Sequence, residues 1–436
     1  PMMNKLIMLA CSIMAMSAAV AKETITIATV NNGDMITMKE LSSDFTTQNP
    51  NIELKWVTLE ENILRQRVTT DVATRGGQYD VMTIGTYEVP IWGKQGWLTE
   101  LDNLGTSYDE NDLLPAIRSG LSINNKLYAA PFYGESSMVM YRTDLIKKAG
   151  LEMPKSPTWD FIRKAAKAMT DKEAGIYGIC LRGKAGWGEN IALITAMSNS
   201  FGARWFDENW QPQFDTKEWH DTLQYYVEVM TESGPPGASA NGFNENLALF
   251  QTGKCGIWID ATVAGAFVTN KEDSKVADKV GFALAPHNGL GKRGNWLWAW
   301  TLAVPSSSKK SDAAMKFISW ATSKEYSALV ADKKGWINVP PGTRASLYNN
   351  PKYMSAAPFA QITLDSIQSA DPINPTVKPV PYVGMQFVAI PEFQGIGTAV
   401  GQQFSAALTG TMTVKEALQN SQRLVERAMR KARYPK

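Results

Sequence analysis

Thr24-Ile25-Thr26-Ile27-Ala28-Thr29-Val30, followed by Asn31-Asn32-Gly33-Asp34, sets the architecture of this chain. The β-branched run reads as a strand, and the Asn-Asn-Gly-Asp break ends it. Met35 to Gln48 then carries a helical pattern that Asn49-Pro50 stops. Ile52, Leu54 and Trp56 alternate on one face of a second strand, Glu60 to Thr74 reads as a helix closed by Gly76-Gly77, and Tyr79 to Ile84 is a third strand. The order β-α-β-α-β predicts a parallel sheet with right-handed crossovers. In such sheets ligands sit beyond the carboxyl ends of the strands. That rule nominates Asn31 and Asn32, then Glu60, then Tyr87 and Glu88.

Farther along, Asn124-Asn125 separates two short strand-like runs as a hairpin turn does, and Phe132-Tyr133-Gly134-Glu135-Ser136 follows where the chain is expected to enter a second lobe. A second α/β set succeeds it. Met138 to Tyr141 is a strand, Thr143 to Ala149 a helix, Thr158 opens another helix, and Ile176 to Leu181 is a strand. Asn190 to Glu232 is mostly helical with a break at Asp207 to Phe214. Asn244 to Thr252 is a short helix before the strand Lys254 to Ile259. Trp296 to Val304 is an aromatic strand that returns to the first lobe, where Ser311 to Ala321 is an amphipathic helix. Ala399 to Leu408 and Val414 to Ala428 are helices at the end.

The opening residues read differently. Pro1 precedes Met2 as an addition, and from Met2 onward Lys5, the apolar Leu6 to Met16 and Ala19-Val20-Ala21 have the layout of a cleavable export signal, 1–21, with the mature chain starting near Lys22. A lipid-attachment reading at Cys11 would cut that apolar stretch short. The charges, 44 basic against 42 acidic, nearly cancel, which removes the electrostatic case for nucleic acid or an anionic membrane. Cys180 and Cys255 remain in the mature chain, either as one bridge of an oxidising compartment or as two buried thiols.

Catalytic signatures are missing: no Gly-x-Ser-x-Gly, His-Glu-x-x-His or calcium-loop pattern occurs, and His220 and His287 lie far apart. Gly289-Leu290-Gly291-Lys292-Arg293-Gly294 matches a dinucleotide fingerprint only formally, since no strand-to-helix turn surrounds it. No catalytic residue, metal or cofactor is therefore expected. Polyol recognition instead needs flat rings for C–H surface and fixed charged or amide groups for hydroxyls. Trp258 and Asp260 share a strand face by alternation, as do Trp296, Trp298 and Trp300. Arg182 and Trp187 flank the Gly-punctuated loop Gly183 to Gly188, and Tyr133 and Glu135 stand at the first crossing. Trp56, Trp159, Trp219 and Trp320 fit core positions. Placing Asp260 at a strand end predicts that Asp260→Ala weakens binding by about tenfold or more and leaves the unliganded thermal midpoint alone.

Tyr79-Asp80-Val81-Met82, Gly96-Trp97-Leu98-Thr99-Glu100-Leu101, Leu127-Tyr128-Ala129-Ala130-Pro131, Tyr141-Arg142-Thr143-Asp144-Leu145 and Gly253-Lys254-Cys255-Gly256-Ile257-Trp258 stand in an order that resembles the periplasmic solute-binding proteins of ABC importers, maltose-receptor-like class. Leu64 to Asp71, Thr83 to Pro90 and Phe132 to Ser136 are similar to the sugar-alcohol receptors. The resemblance implies an α/β fold of two lobes joined by three crossings with the ligand cleft between them. Each lobe is expected to hold a mostly parallel sheet, the first spanning 22–131 and 299–344, the second 132–298 and 345–436. It also implies a periplasmic monomer whose partners are a small polyol and the membrane permease subunits. Arg65, on the helix after the second strand, and Trp336, near the third crossing, join the candidate contacts. A same-fold receptor for another sugar or for glycerol phosphate, and an extracellular glycosidase built on paired carboxylates, are the competing readings.

Overall fold

The computed structural model describes residues 21–436, so the leader expected over 1–21, apart from Ala21, and Cys11 lie outside the described residues. In chain order the strands are β1 Glu23–Val30, β2 Ile52–Leu59, β3 Val81–Gly85, β4 Ser122–Ile123, β5 Lys126–Leu127, β6 Ala130–Glu135, β7 Ser137–Arg142, β8 Tyr177–Cys180, β9 Cys255–Ala261, β10 Val280–Leu284 and β11 Trp298–Ala303. One sheet has the order β2-β1-β3-β11-β6 and the other β10-β7-β9-β8. β1 runs parallel to β2 and β3, as the opening pattern predicts. β11 is antiparallel to β3 and β6, and in the second sheet only the β8–β9 pair is parallel. The sheets are thus mixed and not mostly parallel. The crossing strands cause this: β6 passes through Ser136 straight into β7, and β11 comes back from the second sheet to wedge between β3 and β6.

Local chemistry explains the element ends. Asn32 caps the helix Gly33–Leu41 by accepting from the Met35 amide, and Ser42 splits the expected Met35 to Gln48 helix by donating its hydroxyl back to the Lys39 carbonyl. Glu60 caps Glu61–Thr74 through the Ile63 amide; that helix stops at left-handed Arg75, one residue before the glycines nominated for the task. Asn124 and Asn125 both take positive φ in the β4–β5 hairpin, as that turn requires. Cys180 and Cys255 form a disulfide between the neighbouring strands β8 and β9.

Two crossings fall later than the sequence suggested. β6 stays paired with β11 through Glu135, so the chain leaves the first sheet at Ser136 and not at 131. Ser346 bonds Asp112, and the helix Pro351–Ala356 packs on the turn Trp336–Asn338, whereas Ala360–Ser369 packs on β7 and β10. The third passage therefore lies between those two helices, beyond 344. No described helix is long and apolar enough to cross a membrane.

Candidate ligand-binding cleft

A cleft lies between the two sheets. The first sheet contributes Asn31 and Asn32 after β1, Glu60 and Glu61 after β2, Tyr133 and Glu135 on β6, and Trp298 and Trp300 on β11. The loop after β8 brings Arg182, Lys184, Trp187 and Glu189 from the other side, joined by Asn244, Glu245, Trp296 and Gln386. Strand-end placement accounts for most of this set, since a sheet whose faces are covered by helices offers only its ends to a ligand.

The rings are organised around one cation. The Arg65 guanidinium lies 4.5 Å from the Trp187 ring, 4.9 Å from Trp300 and 5.5 Å from Trp298. Trp298 lies over β3 so closely that a Cβ on Gly85 would fall 1.8 Å from its ring, and a Cβ on Gly188 would fall 1.9 Å from the Arg65 guanidinium. Both glycines therefore permit the approach that builds the box. Arg65 also donates to Glu61 at 2.8 Å.

Arg182 anchors the other wall. It binds both carboxylate oxygens of Asp260, at 2.9 and 2.8 Å, donates to the Gly188 carbonyl at 3.1 Å, and sits 3.5 Å from Glu61 and from Glu189. Burial works against its charge, but Asp260, Glu61 and Glu189 hold the guanidinium well above its ordinary value. Burial likewise opposes ionisation of Glu61, yet Arg65 and Arg182 keep that carboxyl below the usual range. Glu135 and Glu189 are pushed well above it, first by burial. Tyr133 accepts a bond from Asn32 at 2.8 Å.

Four buried polar atoms of cleft-lining residues have no hydrogen-bond partner among the described residues: Arg65 Nε, Trp296 Nε1, Trp298 Nε1 and Glu189 Oε2. They comprise donors and one acceptor, and leaving such groups unpaired costs about 1–3 kcal/mol each. The two sheets also touch directly across the mouth. Lys184 pairs with Glu60 at 2.8 Å, Asn244 donates to the Asn31 carbonyl at 2.8 Å, and Asn62 donates to the Ala185 carbonyl at 3.3 Å. The cleft is closed.

Five candidates do not line it. Trp258 is fully buried between Phe243 and Phe250, in the core beneath the second sheet. Asp260 on the same strand is also fully buried, behind Arg182, where it serves as that residue's counter-ion. Tyr87 donates its hydroxyl to the Ile390 carbonyl at 2.8 Å and packs its ring 4.6 Å from Trp187, which places it behind the box. Glu88 is buried and accepts from the Gly85 amide at 3.0 Å, and burial pushes its carboxyl up to about 7. Trp336 occupies a short turn away from the cleft. Glu61, Lys184, Glu189, Asn244, Glu245, Trp296 and Gln386 line the cleft but were not singled out as contacts. The signal for Glu61 and Glu189 was present, since they border nominated Glu60 and the Gly-rich loop.

Comparison with known proteins places this architecture. The sequence profile of bacterial extracellular solute-binding proteins matches residues 31–328. The mannitol-binding protein of Pseudomonas aeruginosa is 58% identical over 414 residues, covering 95% of each chain. The crystal structure of an ABC transporter solute-binding protein from Agrobacterium vitis with bound D-mannitol superposes with a TM-score of 0.94 at 72% identity, covering 95% of this chain and 100% of that one. Maltose-bound MalE3 of T. maritima shares the fold, with a TM-score of 0.79 at 23% identity over 92% of this chain and 99% of its own. With its two sheets, closed cleft and near-complete overlap with these relatives, the chain belongs to the bacterial extracellular solute-binding protein family.

Proposed function

We propose that this protein is the extracytoplasmic receptor for a hexitol, D-mannitol or a near isomer, which it encloses between two lobes and hands to the permease subunits of an ABC importer. The observation that carries the reading is the mixture in the cleft of indole faces with unpaired buried donors and a carboxylate oxygen. A hydroxyl both donates and accepts, so an array of hydroxyls pairs with both kinds of group. The contacts assigned to ligand are Asn31, Asn32, Arg65, Tyr133, Glu135, Arg182, Trp187, Trp298 and Trp300, with Glu189, Trp296 and Gln386 added. Supporting it are the mannitol-binding relative at 58% identity and the D-mannitol-bound relative at 72%.

The lobes assigned to this motion are 22–135 with 298–356, and 137–297 with 360–436, hinged at Ser136 and at the two later crossings. Export through a cleaved leader, a periplasmic location, action as a monomer and the lack of catalysis belong to the same reading. The lining counts against the phosphate ester: Arg65, Arg182 and Lys184 are each already paired with a carboxylate, Glu61, Asp260 and Glu60, which leaves none of the three free to take an anion. An oligosaccharide would need an open groove, whereas the Lys184–Glu60 and Asn244–Asn31 contacts shut the mouth.

Titration calorimetry on unfolded, ligand-stripped and refolded protein tests the assignment with D-mannitol, sorbitol, arabitol, maltose and glycerol 3-phosphate. Binding of a polyol at about micromolar Kd or tighter, roughly 8 kcal/mol, is expected. Refolded protein that ignores every polyol refutes it.

A further inference from the structure

Glu61 and Glu189 come from opposite sides of the cleft, one opening the helix Glu61–Thr74 and the other preceding the helix Asn190–Ser200. Each places an Oε2 3.5 Å from the same Arg182 nitrogen, so acids from the two sides converge on one guanidinium. Two ionised carboxylates offer each other acceptors and no donor, so a proton on one of them relieves their repulsion. Glu189 is only 3% exposed, and its Oε2 has no hydrogen-bond partner among the described residues.

Charge balance also favours a proton on one of the two. Facing the pair are Arg65 on the helix of Glu61, Arg182 after β8, Glu135 and Tyr133 on β6, and Asp260 on β9. Lys184, Glu60 and Glu245 stand at the mouth, and Glu88 lies behind Arg65. Glu61, Glu135 and Glu189 in the cleft and Asp260 behind it face the two guanidiniums of Arg65 and Arg182, so carboxyl groups outnumber these cations. The start of the helix Phe243–Gln251 lies against Glu189, where a Cβ on Gly242 would be 2.6 Å from Oε2, and would favour a charge there. It supplies no hydrogen bond to that oxygen.

Resting on the receptor reading above, we propose that closure of the cleft builds a proton-binding site from Glu61 of one lobe and Glu189 of the other, so that ligand capture takes up one proton from solvent. With the lobes apart, each carboxyl is expected to be solvated and to titrate in the ordinary carboxylate range. Joined in the closed cleft, the pair shares one proton and one negative charge, and Glu189 is the member that burial and Glu61 hold above the usual range. The sign follows. A group whose closed-state value is raised contributes full affinity below its open-state value and loses it as pH rises toward the closed-state value. Across that window the Kd for polyol rises about tenfold per pH unit.

Calorimetry with D-mannitol near neutral pH, repeated in phosphate and Tris, reads the proton count from the dependence of the observed heat on buffer ionisation enthalpy. Wild type is expected to take up protons on binding. E189Q and E61Q are each expected to lose about one proton of that uptake, and the double variant no more than either alone, because the two residues hold the proton together. Burial also raises the Glu135 carboxyl, so the decisive quantity is the difference between wild type and these variants. Zero uptake by wild type overturns the proposal, as does unchanged uptake in either single variant or a loss of two protons in the double. Failure of wild type to bind any polyol would instead overturn the receptor reading, and this proposal with it.

Discussion

Asp260→Ala separates the strand-end reading from the structure. As a ligand contact, Asp260 would affect binding alone. It is fully buried, with both oxygens committed to Arg182 and one accepting from the Ala261 amide. Removing it leaves a buried guanidinium without its two closest bonds. Breaking a buried ion pair costs about 3–5 kcal/mol. Arg182 retains Glu61 and Glu189 at 3.5 Å and the Gly188 carbonyl, so the low end, about 3 kcal/mol, is expected. For a cooperative unit of the second lobe's size that corresponds to a thermal midpoint lower by roughly 6–12 °C without ligand. Affinity falls as well, by about tenfold or more, because Arg182 positions the loop that carries Trp187 and Glu189. Differential scanning fluorimetry of ligand-stripped protein, paired with titration, reads both quantities. An unliganded midpoint unchanged to about 1 °C, with binding lost, would refute the counter-ion role and restore Asp260 to the ligand.

Trp298→Ala removes a ring and an unpaired indole donor from the cleft, so the D-mannitol Kd should rise by about 30-fold or more, near 2 kcal/mol, measured by titration. Lys184→Ala breaks a half-exposed pair across the mouth; the Kd should change less than about fivefold, and the difference from wild type should shrink at high salt. Replacing Cys180 and Cys255 together by Ser opens a loop of 75 residues in sequence separation and should lower stability by about 4 kcal/mol on chain-entropy grounds, while D-mannitol affinity survives. A urea titration beside calorimetry checks both halves of that statement.

The opening βαβαβ run was legible because its strands are β-branched and its breaks carry Asn, Gly and Pro, features local to the chain. β10 gave no comparable signal, and its five residues are only partly buried at most positions. The same contrast runs through the cleft. Asn31 and Asn32 were found because they end a strand, and Arg182 and Trp187 because glycines mark their loop. Trp258 and Asp260 were misplaced because alternation states which residues share a face and not what lies against that face. Every residue of β9 is buried, so both faces are covered and the pattern holds no direction. Gln386 sits in an irregular stretch that reaches the cleft only through the tertiary fold, where its amide bonds the Leu297 backbone.

The excess of carboxyl groups over cations explains why such a cleft should hold a neutral ligand tightly. Each carboxylate that faces the ligand needs a donor, and water supplies donors freely when the lobes are apart. Closure expels that water, so the ligand must bring hydroxyls, or protons must neutralise the acids. A polyol brings a hydroxyl on every carbon, matched to acceptors such as Glu189 and to the indole donors of Trp296 and Trp298. An epimer with one hydroxyl turned away leaves one buried group unpaired, at about 1–3 kcal/mol. Shape selectivity then comes from the same deficit of partners that makes the empty closed cleft unfavourable. Affinity and discrimination are therefore two consequences of one arrangement: polar groups buried by closure that the protein itself does not satisfy.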